Sequence, residues 1–235
     1  RAIEILGGPT VTLDVSSDRP IAILAVRLCD VHPSGESSRV SFGVLNLTHR
    51  DDHRHPSPLA ADRRYRIHIK LNDAGAAFPA GHRIRLALST AYWPMVWPAP
   101  EKATVSIFDG TLELPARAAG FPQASTGLPE PETAPPDRPT RIGPGSVRFD
   151  NIHLELGVHS RFSYDIEGDD PLSASARMQR SDTISRGAWQ VRIETGMSLS
   201  CTRESFELRA TVRAFEDADE ICHRQWNHII PRNLL

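Results

Sequence analysis

The sequence predicts an all-β protein, and three observations lead to that class. Apolar and polar residues alternate in many short segments, turns rich in glycine, proline and aspartate separate these segments, and helical periodicity is nearly absent. About six such segments at short spacing in the first half of the chain are typical of a β-sandwich or jelly roll. With 235 residues, the chain can form one large all-β unit or two smaller ones.

The strands of the first half follow from this period-two alternation. Val11, Leu13 and Val15 share one face of an extended segment. Segment 21–28, "IAILAVRL", is apolar on both faces, which predicts a central strand that is covered on both sides. A turn is predicted at 32–37, "HPSGES". Two later segments place the following residues inward: Tyr65, Ile67, Ile69 and Leu71 in one, and Ile84, Leu86 and Leu88 in the other.

Segment 104–114, "TVSIFDGTLEL", predicts a β-hairpin. Its centre is the dipeptide Asp109-Gly110, which suits the positive φ angles of a tight turn. The hairpin would be the last element of the first domain, which we place at residues 1–117.

The chain changes character after this first domain. Residues 118–145 are crowded with proline and carry little apolar pattern, which indicates a linker or an extended strap. Alternation resumes in residues 146–235, for example in "AWQVRIET" and "FELRATVRAF", and predicts a smaller antiparallel β segment of unknown role. At about 90 residues, such a sheet is near the size at which a core becomes marginal alone.

Composition excludes several classes of partner. The formal net charge is -2, with 27 basic and 29 acidic residues, which favours neither nucleic acid nor an anionic membrane surface. No apolar run is long enough to span a bilayer. Because the first residue is Arg1, we expect a fragment of a longer protein. The location of that protein is left open, with the cytoplasm favoured. The three cysteines are too few and too scattered for a disulfide framework.

The chain also lacks the common catalytic motifs. A serine hydrolase of the α/β type exposes its nucleophile on a Gly-x-Ser-x-Gly turn, and the sequence contains no such motif. The nearest match, "GMSLS" at 196–200, lies in a strand pattern, so Ser198 is expected to be an ordinary sheet residue. No phosphate-binding loop, dinucleotide fingerprint or His-Glu-x-x-His motif is present, and we predict no cofactor.

Two clusters are candidate sites. The segment 48–58, "THRDDHRHPSP", brings His49, His53 and His55 close in sequence, but its spacing matches no known metal site, and a polar loop would look the same. The aromatic segment, which contains Tyr92, Trp93, Met95 and Trp97, allows three interpretations: it folds onto its own sandwich, it stacks on sugar rings, or it seals the pocket of a neighbouring domain.

Two longer segments carry a family resemblance. The segments "LCDVHPSG" at 28–35 and "FPAGHRIRLALST" at 78–90, together with "EILGG" at 4–8, resemble the C-terminal domain of the Xaa-Pro dipeptidyl-peptidase and cocaine esterase (CocE/NonD) family of serine hydrolases. The resemblance covers residues 1 to about 117. It implies a jelly-roll, galactose-binding-like β-sandwich that packs on an α/β-hydrolase catalytic domain of the same parent chain.

This resemblance implies a function for the first domain. The sandwich would be a non-catalytic part of a hydrolase that cleaves esters, amides or X-Pro peptides, and it would help to close the active site. The triad would lie outside this chain, and the aromatic segment would form part of the pocket wall or the domain interface. Known members carry a polar, asparagine-containing stretch there, which leaves the substrate open. The alternatives are a carbohydrate-binding module and a structural interaction domain, and a homo-oligomer is possible.

Overall fold

The computed structural model describes residues 2–117 and 139–235. These residues form two compact units, one made of 2–117 with 233–235 and the other of 139–232. Both are built from β-strands, and the described helices are short 3-10 turns at Leu47–His49, Asp150–Ile152 and Pro171–Ser173. Among the described residues, no helix has the length and apolar character that a membrane span requires. The prediction of an all-β protein is confirmed.

The first unit is a β-sandwich. Its two main sheets each have three antiparallel strands, in the orders β5-β2-β8 and β4-β3-β7, and a two-stranded ribbon β1-β6 accompanies them. The strands are β1 (Ile3–Gly7), β2 (Thr10–Ser17), β3 (Ile23–Val31), β4 (Ser37–Asn46), β5 (Tyr65–Lys70), β6 (Ala74–Phe78), β7 (Arg83–Ser89) and β8 (Val105–Glu113).

One apolar core joins the two main sheets. Alternate residues of β2 point inward, and Val11, Leu13 and Val15 are 0–4% exposed. They lie beside Ile67 and Ile69 of β5, in the register Leu13 opposite Ile67 and Val11 opposite Ile69. The facing sheet contributes alternate residues of β3 to the same buried cluster, namely Leu24, Val26 and Leu28. The sequence periodicity predicted the inward residues of β2 and β5, and β3 is the central strand of its sheet, as expected.

A polar pair, Asp30 and His82, joins the end of β3 to the residue that precedes β7. His82 Nδ1 lies 2.9 Å from both carboxylate oxygens of Asp30, and because a carboxylate only accepts hydrogen bonds, Nδ1 carries the proton. The ring of His32 meets that of His82 edge-on, at 4.7 Å between centroids. The turn between β3 and β4 closes with the amide of Gly35, at φ +94°, donating to the carbonyl of His32.

The hairpin predicted at Asp109-Gly110 is wrong. Residues 105–113 form the single strand β8, which pairs with β2 over its whole length. Gly110 is needed for a different reason, because a Cβ at this position would lie 2.5 Å from Cδ2 of Leu13. The glycine therefore allows β2 and β8 to approach closely. A register shift between Asp14 and Val15 accommodates one extra residue of β8 in the ladder.

The C-terminal residues of the chain belong to the first unit. The carbonyl oxygen of Leu234 accepts hydrogen bonds from Asn46 Nδ2 at 2.8 Å and from Thr48 Oγ1 at 3.1 Å. Thr48 is 1% exposed, so its hydroxyl would otherwise be buried without this acceptor. Asn46 also accepts from the Thr48 amide and caps the 3-10 turn that follows β4.

The second unit is a seven-stranded antiparallel sheet in which neighbours in sequence are neighbours in space. Its strands are β9 (Thr140–Gly143), β10 (Ser146–Phe149), β11 (Leu154–Asp165), β12 (Ser175–Arg186), β13 (Trp189–Cys201), β14 (Ser205–Glu216) and β15 (Asp219–Pro231). Five of them have 12 or 13 residues, well above the usual length of about 5–6.

The two faces of this sheet differ in chemistry. One cross-sheet row, from β11 to β15, is apolar and consists of Phe162, Met178, Met197, Ala210 and Trp226. The adjacent row on the opposite face is polar and consists of Arg161, Gln179, Gly196, Thr211 and Gln225. Within residues 139–232, only Ala174, Phe215 and Arg232 are buried. The unit is therefore an amphipathic single-layer sheet with little core of its own.

We predict that the Asp30–His82 pair stabilises the first unit. The two side chains are only 19% and 15% exposed, so removing either partner should lower the free energy of unfolding by about 1–3 kcal/mol. Asp30→Ala, His82→Ala and the double variant should show a coupling energy above about 0.5 kcal/mol in urea unfolding.

The matched control for this prediction is the Asp52–His55 pair, which has a shorter contact of 2.6 Å but side chains that are 47% and 83% exposed. Its coupling should be weaker, within the range of about 0–1 kcal/mol seen for surface pairs. Equal coupling in the two pairs would show that burial does not strengthen the Asp30–His82 contact.

Candidate functional site

The aromatic segment, residues 92–97, follows β7 and is anchored at both ends. The amide of Val96 donates to the carbonyl of Tyr92 at 3.0 Å, which closes a tight turn, and the Trp93–Pro94 peptide bond is cis. After Trp97 the chain becomes buried again at residues 98–100. The segment is thus a short, ordered loop that connects β7 to the buried residues 98–100.

Tyr92 packs on the outer face of the β4-β3-β7 sheet. Arg27 of β3 lies opposite Phe42 of β4, so their side chains share that face. The rings of Phe42 and Tyr92 meet edge-on at 5.6 Å, and the Arg27 guanidinium lies 5.4 Å from the centre of the Tyr92 ring. Arg39 donates a hydrogen bond to the Tyr92 hydroxyl. Tyr92 therefore contacts its own sandwich, as the first of the three interpretations predicts.

Arg27 is the most unusual residue of this surface. It stands in the central strand of the sheet, and its Nε is buried with no hydrogen-bond partner among the described residues. The guanidinium contacts the face of Tyr92 instead, which is a favourable position for a cation over an aromatic ring. The surface thus combines a partly buried positive charge with aromatic rings.

The two tryptophans of the segment contact each other. The rings of Trp93 and Trp97 are perpendicular, at 89°, with centroids 5.2 Å apart. Neither belongs to the buried core of the first unit, and nor does Tyr92. Met95, between the tryptophans, is 58% exposed. The side chains of this segment are therefore not needed to fill the sandwich.

The histidine cluster does not assemble into a metal site. The rings of His49 and His53 lie 5.6 Å apart, whereas His55 turns to Asp52. The backbone N–H of Arg54 and the His55 ring donate to Asp52 and hold the pKa of that carboxyl below its usual value. Across residues 2–117 and 139–235, no group of three or more histidine, cysteine, aspartate or glutamate side chains is arranged to hold a metal ion.

A second concave surface lies on the polar face of the seven-stranded sheet. It has a volume of about 450 Å³, with Ser181, Gly196 and Thr211 at its base and longer polar side chains around them. Two of those longer residues, Glu194 and Arg213, lie 3.6 Å apart and form an ion pair. Arg161 and Arg180 also line this surface, so its basic side chains outnumber its acidic ones. Sequence reasoning did not single out this surface, because its members come from four different strands.

Comparison with known families agrees with this architecture. The sequence profile of the X-Pro dipeptidyl-peptidase C-terminal non-catalytic domain matches residues 1–120, about half of the chain. The chain belongs to this family. The matched residues include the whole described sandwich apart from residues 233–235, and they include the aromatic segment. The whole second unit lies beyond the match.

Individual relatives are more distant. The cocaine esterase of Rhodococcus sp. (strain MB1 Bresler) is 26% identical over 92 residues, which is 39% of this chain and 16% of the esterase. Among solved structures, an α-amino acid ester hydrolase has 22% identity and a TM-score of 0.48, with 50% of this chain and 24% of that chain covered. A CocE/NonD family hydrolase from Staphylococcus aureus has 17% identity and a TM-score of 0.43, with 50% and 29% covered. The chain thus spans less than a third of each of these proteins.

We predict a modest contribution of Tyr92 to stability. Tyr92→Phe removes one hydrogen bond at the surface and should cost less than about 1 kcal/mol, and Tyr92→Ala should cost about 1–2 kcal/mol through the lost aromatic contacts. Phe78→Ala serves as the control, because Phe78 is 3% exposed in the core and its truncation should cost about 3–5 kcal/mol. Thermal melts of the three variants check this order, and a loss for Tyr92→Ala equal to that for Phe78→Ala would contradict it.

Proposed function

We propose that the first unit is a non-catalytic domain of a serine hydrolase of the dipeptidyl-peptidase or esterase type, and that it packs on the α/β-hydrolase domain of its parent chain. The observation that carries this proposal is the family match over residues 1–120. The proposed reaction class is cleavage of an ester, an amide or an X-Pro peptide; the relative named cocaine esterase supports the ester, and the family description supports the X-Pro peptide.

The aromatic segment is the proposed contact with that catalytic domain. It is held at one end by Tyr92 and at the other by the buried residues 98–100, so its conformation is fixed before any partner arrives. Between these ends Met95 is 58% exposed, and the half-buried Trp93 and Trp97 lie outside the core cluster. Ordered aromatic and methionine side chains of this kind are enriched at the centres of protein interfaces. The segment would seal the pocket from one side.

Closing the pocket would assist the reaction without supplying a catalytic group. Exclusion of water strengthens the electrostatic interactions inside an active site, and a fixed wall positions the acyl part of a substrate. The nucleophile would come from the catalytic domain. Ser198 of "GMSLS" stands in the middle of β13, opposite Arg209, in an ordinary ladder rather than on a strand-to-helix turn.

The alternative of a carbohydrate-binding module receives less support from the aromatic segment. A flat platform for sugar rings needs aromatic faces that lie in one plane, whereas Trp93 and Trp97 are at 89° to each other. Only one of the two rings could stack on a given sugar. A protein domain, by contrast, can contact the edge of one ring and the face of the other at the same time.

We predict that Trp93→Ala with Trp97→Ala lowers kcat/KM of the parent enzyme on bulky acyl substrates by about 10-fold or more, because a 1.4 kcal/mol loss of positioning already has that effect. Small acetyl esters should lose less. The double variant of the isolated chain should lose less stability than the about 3–5 kcal/mol of a core truncation, since both rings are half-buried and neither belongs to the core.

The control is Trp189→Ala in the same enzyme, because Trp189 is 45% exposed and lies outside the family match. It should leave kcat/KM unchanged. A collapse of the melting temperature in the Trp93/Trp97 double variant, without a kinetic defect that depends on the acyl group, would show that these rings serve the fold, and the pocket-wall proposal would fail.

We also expect the 235-residue chain alone to have no esterase activity. Its rate on p-nitrophenyl acetate should equal that of a heat-denatured sample, because the sequence has no nucleophile elbow. The measurement is the release of p-nitrophenolate with and without a serine-directed inhibitor. Turnover that the inhibitor abolishes would show that this chain contains a nucleophile, and the proposed non-catalytic role would be wrong.

A further inference from the structure

The last strand of the second unit forms a long sheet edge. β15 has 13 residues and pairs with β14 along one side from Asp219 to Pro231. No described strand pairs with its other side, because β15 is the terminal member of the seven-stranded order. Its side chains are exposed almost throughout, with Ile229 at 77%. The outward backbone groups of this strand are thus accessible to another strand.

Natural proteins protect such edges by a small set of devices, and β15 uses few of them. Protected edges are short, carry lysine or an internal proline, or are bent by a bulge. β15 contains no lysine, and its one proline is the terminal residue, Pro231. One bulge lies near its start, where Ile221 of β15 is an extra residue opposite the step from Ala214 to Phe215, and the ladder from Cys222 to Pro231 is regular. The edge is therefore suited to pairing.

We propose that β15 pairs antiparallel with β15 of a second copy of this chain, around a two-fold axis at Gln225. A register centred on Gln225 pairs residues 222–228 of both strands, all within the regular part of the ladder, and leaves the bulge at Ile221 outside the pairing. The contact is isologous and closes on itself, because each copy uses up the same edge. The two sheets join into one sheet of fourteen strands, twice the seven of each copy.

The side chains of β15 are complementary in this register. Arg224 lies opposite the partner's Trp226, and cross-strand neighbours at that spacing allow a cation over an aromatic ring. His223 lies opposite the partner's Asn227. No residue meets a residue of like charge. Because the axis is perpendicular to the sheet, each face continues across the junction, and the apolar row that ends at Trp226 meets the apolar face of the partner.

Neighbouring registers are less favourable. The side chains alternate between faces, so the axis can move only by whole residues, each of which shifts the pairing by two. An axis at Arg224 places two arginines directly opposite each other, and an axis at Trp226 places Arg224 opposite the partner's His228. Neither shifted axis keeps Arg224 opposite the partner's Trp226, so this contact favours the axis at Gln225.

The first measurement is sedimentation velocity of the 235-residue chain between about 1 and 100 μM, a range in which this strand pairing should be visible. We expect a monomer–dimer equilibrium with no larger species. A monomer throughout, or an open series of oligomers, would overturn the proposal. This test does not depend on the proposed function, because β15 lies outside the residues matched to the family.

The second measurement tests the register by disulfide crosslinking in a Cys222→Ser background. Gln225→Cys places two thiols opposite each other on the axis, within the Cα separation that a disulfide accepts. Asn227→Cys is the matched control, because it lies on the same strand and the same face but faces the partner's His223. Under mild oxidation, the crosslinked fraction should be about tenfold higher for Gln225→Cys.

Far-UV circular dichroism confirms that both cysteine variants are folded, and dithiothreitol should reverse the crosslink. Equal crosslinking of the two variants, or stronger crosslinking of Asn227→Cys, would overturn the register and with it the proposed edge contact. A dimer in sedimentation without selective crosslinking would have the same consequence, because the copies would then meet through another surface.

Discussion

The structure of the first unit depends on β3, because this strand is covered on both faces. Its inward residues, Leu24, Val26 and Leu28, close the core against the opposite sheet and are 0–2% exposed. Its outward Arg27 carries the contact with the aromatic segment, and its C-terminal Asp30 holds His82. Core, candidate interface and turn are thus fixed by one strand of nine residues. A distortion of β3 would affect all three at once.

The two units use their apolar surface in different ways. The first unit turns the apolar faces of two sheets toward each other, and the core side chains between them are only 0–9% exposed. The second unit has one sheet, and the apolar face of that sheet keeps Phe162 at 55% and Met197 at 43% exposure. Contiguous apolar surface of this kind is uncommon on monomers and marks places of contact. The ladder hydrogen bonds, rather than a core, define this second unit.

Much of the fold follows from the alternation of residue types. In β2 and β5 one face is buried and the other solvated, so a period of two identifies the strands and their inward residues. The same logic failed at Asp109-Gly110, because a glycine that permits a turn also permits a close approach of strands, and only the position of Leu13 distinguishes the two. The docking of Leu234 on Asn46 and Thr48 has no periodic signal at all.

The candidate site was predicted in part. The aromatic residues are evident from composition, but their platform is not, since Arg27, Arg39 and Phe42 come from two strands and meet Tyr92 only in the folded chain. A signal for Arg27 was present, because it is the one charged residue in the apolar run 21–28. A charge in a central strand needs a partner, and here that partner is an aromatic ring.

The hydrogen bonds to Leu234 make the sandwich discontinuous in sequence. Of the described residues, 2–117 and 233–235 belong to the first unit and 139–232 to the second, so the second unit is connected to the first at both of its ends. No single cut in the sequence separates them cleanly. A sandwich excised at residue 117 loses the carbonyl that Thr48 and Asn46 bind. Permuted variants that open the chain between 118 and 138 would keep the returning segment in place.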